Sequence, residues 1–287
     1  MSKKSLGLLV GALSLIHCRA FTAPTSPSFG KINFGPISVQ SKLSSDKSLT
    51  FFKSPFHNNI RSHTANFLSE SNAENEDPIF NGKVTAALIG GQSTLIIASI
   101  IAALILNTPN YGLGANFALS SSAIKAGALA TIPLFGLAAF LDIFEEKFKA
   151  LQDVSKATQR SVLALLGTKR KPLLALLTAT ALGLSAGIGE EMLFRGILQS
   201  EIAQRFGNMF AVSITSVVFG ALHAVTPLYA FLAAIASVFF GYLFQFSDFN
   251  LAVPIVAHAL YDVGALLWAH WTVTELSEDE QMEIYKS

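Results

Sequence analysis

Charge and cysteine are what this sequence has least of. Only 14% of its 287 residues are charged, and 20 basic against 19 acidic side chains leave a net charge of +1. That balance offers no basic stripe with interleaved aromatics, so nucleic acid is set aside as a partner. A disordered chain is excluded as well, because such chains are charge-rich and apolar-poor. The single cysteine, Cys18, lies in a segment read below as removed. The mature chain is then expected to have no disulfide, no four-cysteine zinc site and no cysteine nucleophile. Apolar residues fill the gap: 51% of the chain is hydrophobic and the mean hydropathy is +0.49. Such values exceed what a soluble domain of this length carries and point to a membrane protein.

The amino-terminal region reads as two successive addresses. Residues 1–20 open with Lys3 and Lys4, continue through an apolar run from Leu6 to Ile16, and end on Cys18 and Ala20. The run is too short to span a bilayer and the small residues fit a signal-peptidase site, so a signal peptide is expected. Its alternative is an amino-terminal anchor. Residues 21–68 are rich in Ser, Thr, Pro, Phe and Asn, with five basic residues between Phe21 and Phe67 and one acid there, Asp46. A basic, hydroxyl-rich, acid-poor stretch resembles a transit peptide and cannot build a core. A signal followed by a transit segment, with Phe21 at the junction, is similar to the bipartite presequences of plastid proteins in algae with secondary plastids. The alternative is a plain secreted tail or a place in the endomembrane system. Residues 69–83 then form an acidic linker carrying Glu70, Glu74, Glu76 and Asp77.

From Val84 to Leu106 the chain carries no charge over 23 residues, enough for a tilted transmembrane helix. A second span runs over roughly 119–141 and tolerates Lys125 and Pro133. The charged stretch 142–160 and the Lys169-Arg170-Lys171 run form a basic connector, which the positive-inside rule places on the stromal or cytosolic side together with Lys83. Apolar stretches at about 172–188, 209–226, 228–246 and 251–271 supply four more spans or half-spans. Gly183 and Gly187 make a small-xxx-small face for close helix contact. The expected fold is all-α, a polytopic transmembrane bundle of about six to eight helices, because only helices satisfy every backbone group within a lipid-exposed chain of this pattern. The bundle divides into amino-terminal helices and connector (84–164), a catalytic-type domain (165–271) and an acidic tail (272–287).

Within the 99 residues from Pro172 to His270 there are seven charged ones: Glu190, Glu191, Arg195, Glu201, Arg205, Asp248 and Asp262. Ionisable groups at membrane depth are costly, so each reads by default as functional. Glu191 and Arg195 stand four apart and share a helix face, while Glu190 lies about 100° round it. The arginine holds one glutamate and leaves Glu190 as the candidate general base toward water. An interfacial charge cluster at a helix end is the competing reading. His223 ends an uncharged run, and His258 stands four before Asp262 on a shared face. His270, between Trp268 and Trp271, reads as a neighbour in an interfacial aromatic belt.

Taken in order, Glu190-Glu191-x-x-x-Arg195, Phe219-x-x-x-His223 and His258-x-x-x-Asp262, all inside hydrophobic segments, resemble the CPBP (Abi) family of intramembrane proteases. That family contains the type II CAAX prenyl endopeptidases, the CAAX prenyl protease 2-like branch among them. The resemblance implies peptide-bond hydrolysis by water inside a membrane cavity, acting on a membrane-associated protein or peptide. It implies that Glu190 activates the water with help from His223. Glu191 and Arg195 would orient the catalytic helix, Phe219 would pack beneath the site, and His258 with Asp262 would polarise the scissile carbonyl. The prenyl-endopeptidase branch typically has Asn where this chain has Asp262, and an ionised carboxylate repels an oxyanion. Asp262 must therefore be protonated, hold the tautomer of His258, or bind a metal. The metal reading takes His223, His258 and Asp262 or Glu190 as zinc ligands with a bound water as nucleophile. Two further classes compete with the protease: a non-proteolytic scaffold or anchor, and a proton-coupled transporter, which lacks the repeated halves such folds carry.

Overall fold

The structure is a computed structural model and describes residues 79–286. The expected signal peptide, transit-like segment and most of the acidic linker lie outside the described residues. Eight helices follow in chain order: α1 Gly82–Leu106, α2 Ser121–Ile143, α3 Lys149–Leu166, α4 Pro172–Phe206, α5 Asn208–Leu222, α6 Pro227–Phe246, α7 Ala252–Val273 and α8 Glu278–Lys286. No strand occurs among the described residues. Helices α1, α2, α4, α6 and α7 are long and apolar enough to cross a bilayer, and α5 is a shorter apolar helix. The chain is an integral membrane protein of the expected all-α class.

The helix starts are written in the sequence. Asn81 Oδ1 accepts the Val84 N–H at 3.1 Å, Ser120 Oγ that of Ala123 at 3.2 Å and Thr226 Oγ1 that of Tyr229 at 3.1 Å. Each cap satisfies a donor that a helix start otherwise leaves open. Pro172 and Pro227 open α4 and α6 at the position where a missing N–H costs nothing. At the start of α4 the Lys171 N–H donates to His270 Nε2 at 3.2 Å. His270 is 3% exposed, so it is a buried helix cap and not a belt residue. Beside it the Arg170 guanidinium lies 3.9 Å from the Trp271 ring centroid.

One boundary departs from the sequence reading. The apolar stretch expected over 172–188 does not stop at the charged residues; α4 runs on for 35 residues to Phe206, with a π-helical stretch, Met192–Gln199, in its middle. The charges do not end the helix because they are buried and partnered within the bundle, as described below.

Helix α7 is the hub, packing against α4, α2, α3 and α6. Glycine brings α4 and α7 together: a Cβ on Gly183 would stand 2.8 Å from the Ala259 carbonyl oxygen, and one on Gly187 3.0 Å from the Ala259 nitrogen. This is the close packing expected of a small-xxx-small face. One end of the bundle is tied by the Asn81 N–H donating to the Leu165 carbonyl at 3.2 Å and by Arg170 reaching Trp271 and Thr274. That end gathers the start of α1, the end of α3, the start of α4 and the end of α7. The opposite end is tied by Asn116 to Asp248 and by Ala118 to Asn250.

Candidate active site

The candidate residues come from three helices. Glu190, Glu191 and Arg195 lie on α4 where the α-helix passes into its π-helical turns, His223 caps the end of α5, and His258 and Asp262 stand in the first half of α7. All six are buried, none more than 2% exposed. A π-helical turn widens the helix locally and is commonly placed at functional sites.

Glu191 joins two helices. Its Oε1 accepts from Arg195 Nη1 at 3.0 Å and from His258 Nδ1 at 2.7 Å. The face-sharing pair of α4 therefore also sets the imidazole of α7, which the spacing of residues did not reveal. Arg195 is fixed on its other side by α6: Nη2 donates to the carbonyl and to Oγ of Ser237, both at 2.9 Å. Three aromatic rings, Phe219, Phe240 and Phe194, surround the guanidinium at 5.3, 5.4 and 5.9 Å. A planar, delocalised cation is the one best suited to such a place, since it stacks on ring faces while its fork donates in the plane.

Both histidines are oriented from behind. His223 Nδ1 lies 2.7 Å from the Phe219 carbonyl, which can only accept, so Nδ1 carries a proton. Its ring stacks on Phe219 at 4.1 Å, and that of His258 on Phe240 at 4.8 Å. With each Nδ1 committed, each Nε2 turns inward. His223 Nε2 stands 3.8 Å and His258 Nε2 3.9 Å from Glu190 Oε2, while Asp262 Oδ2 is 3.4 Å from His258 Nε2. Glu190, His223, His258 and Asp262 thus converge on one small volume, with the contacts just given spanning 3.4 to 3.9 Å. Groups so spaced can share one small reactant between them.

Ser237, Phe240 and Phe194 are members of the site that sequence reasoning missed. Phe240 and Ser237 sit in the most uniformly apolar span, where nothing distinguishes them from lipid-facing neighbours. Only the buried guanidinium required a partner of this kind. Among the described residues, no group of three or more His, Cys, Asp or Glu side chains meets the geometry of a metal centre. His223, His258 and Asp262, the ligands of the zinc reading, form no such group.

Beside the polar cluster an apolar cavity of about 600 Å³ opens between α1, α4 and α7, lined by Ile96, Ile100, Ile188, Met192 and Ile255 and by Tyr111 of the α1–α2 connector. It lies one turn from Glu191 and His258 on their own helices. A cavity of that size and lining accepts an extended apolar segment.

Comparison with known proteins gives one match. Residues 172–264 match the family model described as Type II CAAX prenyl endopeptidase Rce1-like. No curated protein and no solved structure matches the chain. The matched stretch holds all three motifs and both helices, α4 and α7, whose glycine-mediated contact brings Glu191 to His258. Over residues 172–264 the chain is therefore similar to the Rce1-like type II CAAX prenyl endopeptidases, the branch its three motifs resemble.

Proposed function

We propose that this protein is an intramembrane endopeptidase that hydrolyses a peptide bond of a membrane-associated protein or peptide with a water activated by Glu190. The observation that carries this reading is the convergence of Glu190 Oε2 with the inward Nε2 atoms of His223 and His258 at 3.8 and 3.9 Å. A water held by Glu190 and His223 gives its proton to Glu190 as its oxygen attacks the scissile carbonyl. Glu190 then returns the proton to the departing amine. His258, fixed at Nδ1 by Glu191, faces the carbonyl oxygen with Nε2, and a proton shared with Asp262 supplies a donor to the developing oxyanion. In this role Asp262 is useful because it can carry that proton, which an amide in the same place would hold permanently. The 600 Å³ cavity is where the segment flanking the cleaved bond lies. The expected presequence favours a plastid membrane over the endomembrane system as the location.

The test assumes no substrate. Membranes of null cells complemented at matched expression with wild type or Glu190→Ala are compared by amino-terminal peptide mapping. New termini with wild type alone are expected; the same termini from Glu190→Ala would overturn the reading in favour of a scaffold.

A further inference from the structure

One aromatic residue on the wall of the apolar cavity is held in a conformation its side chain disfavours. Tyr111 has φ 56° and ψ 34°, and Asn110 before it φ 52° and ψ 41°, two successive left-handed residues in the α1–α2 connector. Asn takes that conformation readily, whereas a bulky tyrosine does so only under constraint. The constraint is visible: the Leu113 N–H donates to the Asn110 carbonyl and the Gly114 N–H to that of Pro109, both at 3.1 Å. Asn110 Nδ2 donates to the Gly114 carbonyl at 2.7 Å, and Gly112 abuts Gly196 of α4. The same end of the bundle holds a second left-handed pair, Asp248 and Phe249, but there the ring gains a partner, packing edge-on against buried Phe244 at 5.4 Å. Tyr111 gains none. Its side chain makes no hydrogen bond, ion pair or ring contact among the described residues and is 64% exposed; what it borders is the cavity.

Strain that a fold maintains without gaining a contact from it is characteristic of ligand-binding positions. Resting on the hydrolase reading above, we infer that Tyr111 is a specificity-determining residue, whose ring packs on an apolar side chain of the substrate next to the cleaved bond. The cavity joins the two places. Ile188 and Met192 flank the Glu190–Glu191 pair on α4, Ile255 stands one turn before His258 on α7, and Tyr111 lines the same space with Ile96 and Ile100 of α1. Among the described residues that line it none is charged, and only Asn110 and Tyr111 carry polar side-chain atoms. A charged substrate residue entering there loses its water with nothing to pair it, whereas one of the size of leucine is buried in apolar surroundings. Tyr111 precedes the matched stretch 172–264, so this part of substrate choice falls to chain that the family match does not cover. The competing role is that of an interfacial aromatic anchored among lipid headgroups, which takes no part in substrate choice.

The experiment uses the full chain in membranes and fluorogenic peptides spanning the cleavage site mapped above, with Leu or Ala placed on each side of the cleaved bond in turn. Wild type is expected to favour Leu over Ala by about tenfold or more in kcat/KM on one side. Tyr111→Asn removes the ring and accepts the left-handed backbone, so its melting temperature should be no lower than that of wild type. It is expected to lose about tenfold of the Leu-over-Ala ratio on that side, through KM, with kcat for the Leu peptide within about threefold. Tyr111→Phe keeps the ring and should keep the ratio. A wild type without preference on either side, or a ratio that Tyr111→Asn changes by less than about threefold, overturns the assignment and leaves Tyr111 as an interfacial anchor. If Tyr111→Asn melts early, Tyr111→Gly, which adopts this backbone most freely, is read by the same ratios. Glu190→Gln separates the two levels. An inactive Glu190→Gln beside a Tyr111→Asn of unchanged selectivity removes only the tyrosine, whereas an active Glu190→Gln removes the hydrolase reading and this inference with it.

Discussion

Glu191 carries two duties that pull on the same oxygen, and its partners fix the consequences of changing it. Breaking a fully buried ion pair from one side strands a charge away from water, a change that costs about 3 to 5 kcal/mol. Arg195→Met, which keeps the length but not the charge, is therefore expected to destabilise the protein by about that amount, read as thermal melting in detergent. It also removes the donor that Arg195 gives to the Ser237 carbonyl and hydroxyl. The double variant Glu191→Gln/Arg195→Met should recover part of the loss, because no buried charge then remains at that pair; no recovery would show that packing inside the three aromatic rings, not charge, dominates. The pair itself was legible in the sequence, since a four-residue spacing on a helix allows little else. Its reach to His258 was not, because contacts between distant helices leave no periodicity in the chain. Ser237 was hidden for a related reason: one hydroxyl in a membrane span is ordinary until a buried guanidinium faces it.

At the scale of single helices, α4 shows what the sequence could and could not convey. Its glycines announced close packing, and Gly183 and Gly187 do bring α7 within contact. Its π-helical stretch was invisible, because no composition marks one. Gly196 lies within it, where a Cβ would collide with the Gly112 carbonyl oxygen of the α1–α2 connector. Gly196→Ala is expected to push that connector away or unwind the turn, lowering thermal stability and cleavage together. Gly90→Ala, where a Cβ meets nothing within 4 Å, should be neutral or slightly stabilising by helix propensity and serves as the matched comparison. Helix α1 carries an opposite case. Gln92 is 1% exposed, and both ends of its side-chain amide lack a hydrogen-bond partner, while its backbone approaches Gly189 beside Glu190. A buried amide left unpaired costs about 1 to 3 kcal/mol. Gln92→Leu should thus raise the melting temperature, and a fall instead would mean that the amide is satisfied through water.

Over the whole molecule, the family match begins at residue 172, yet the apolar cavity beside its site is lined in part by what comes before. Helix α1 lines the apolar cavity with Ile96 and Ile100, and the α1–α2 connector adds Tyr111 and Leu113 to its wall. The sequence foresaw a bundle and grouped its basic connector with Lys83, and the structure joins those segments at one end through Asn81 and Leu165. At that same end, outside the spans, Glu145 sits in the elbow between α2 and α3. Burial raises its pKa from the ordinary 4.5 to about 7; the nearby Ser155 hydroxyl opposes the rise, and Asp142 and Glu146 add to it. The sign follows from proton counting. Between pH 4.5 and about 7 the folded protein holds a proton on Glu145 that the unfolded chain has released, so folding stability falls as pH rises through this window and levels off above it. Glu145→Gln mimics the protonated form and should flatten the slope of melting temperature against pH over that interval, leaving the acid side almost unchanged. Because the elbow joins the segments that precede the matched domain to the helix that packs against α7, the same titration should loosen the α2–α3 elbow before the site itself. Hydrogen exchange at pH 8 is therefore expected to rise first in residues 142–155 of the wild type and not in Glu145→Gln, and uniform exchange across the bundle would show that this carboxyl has no hold on the elbow.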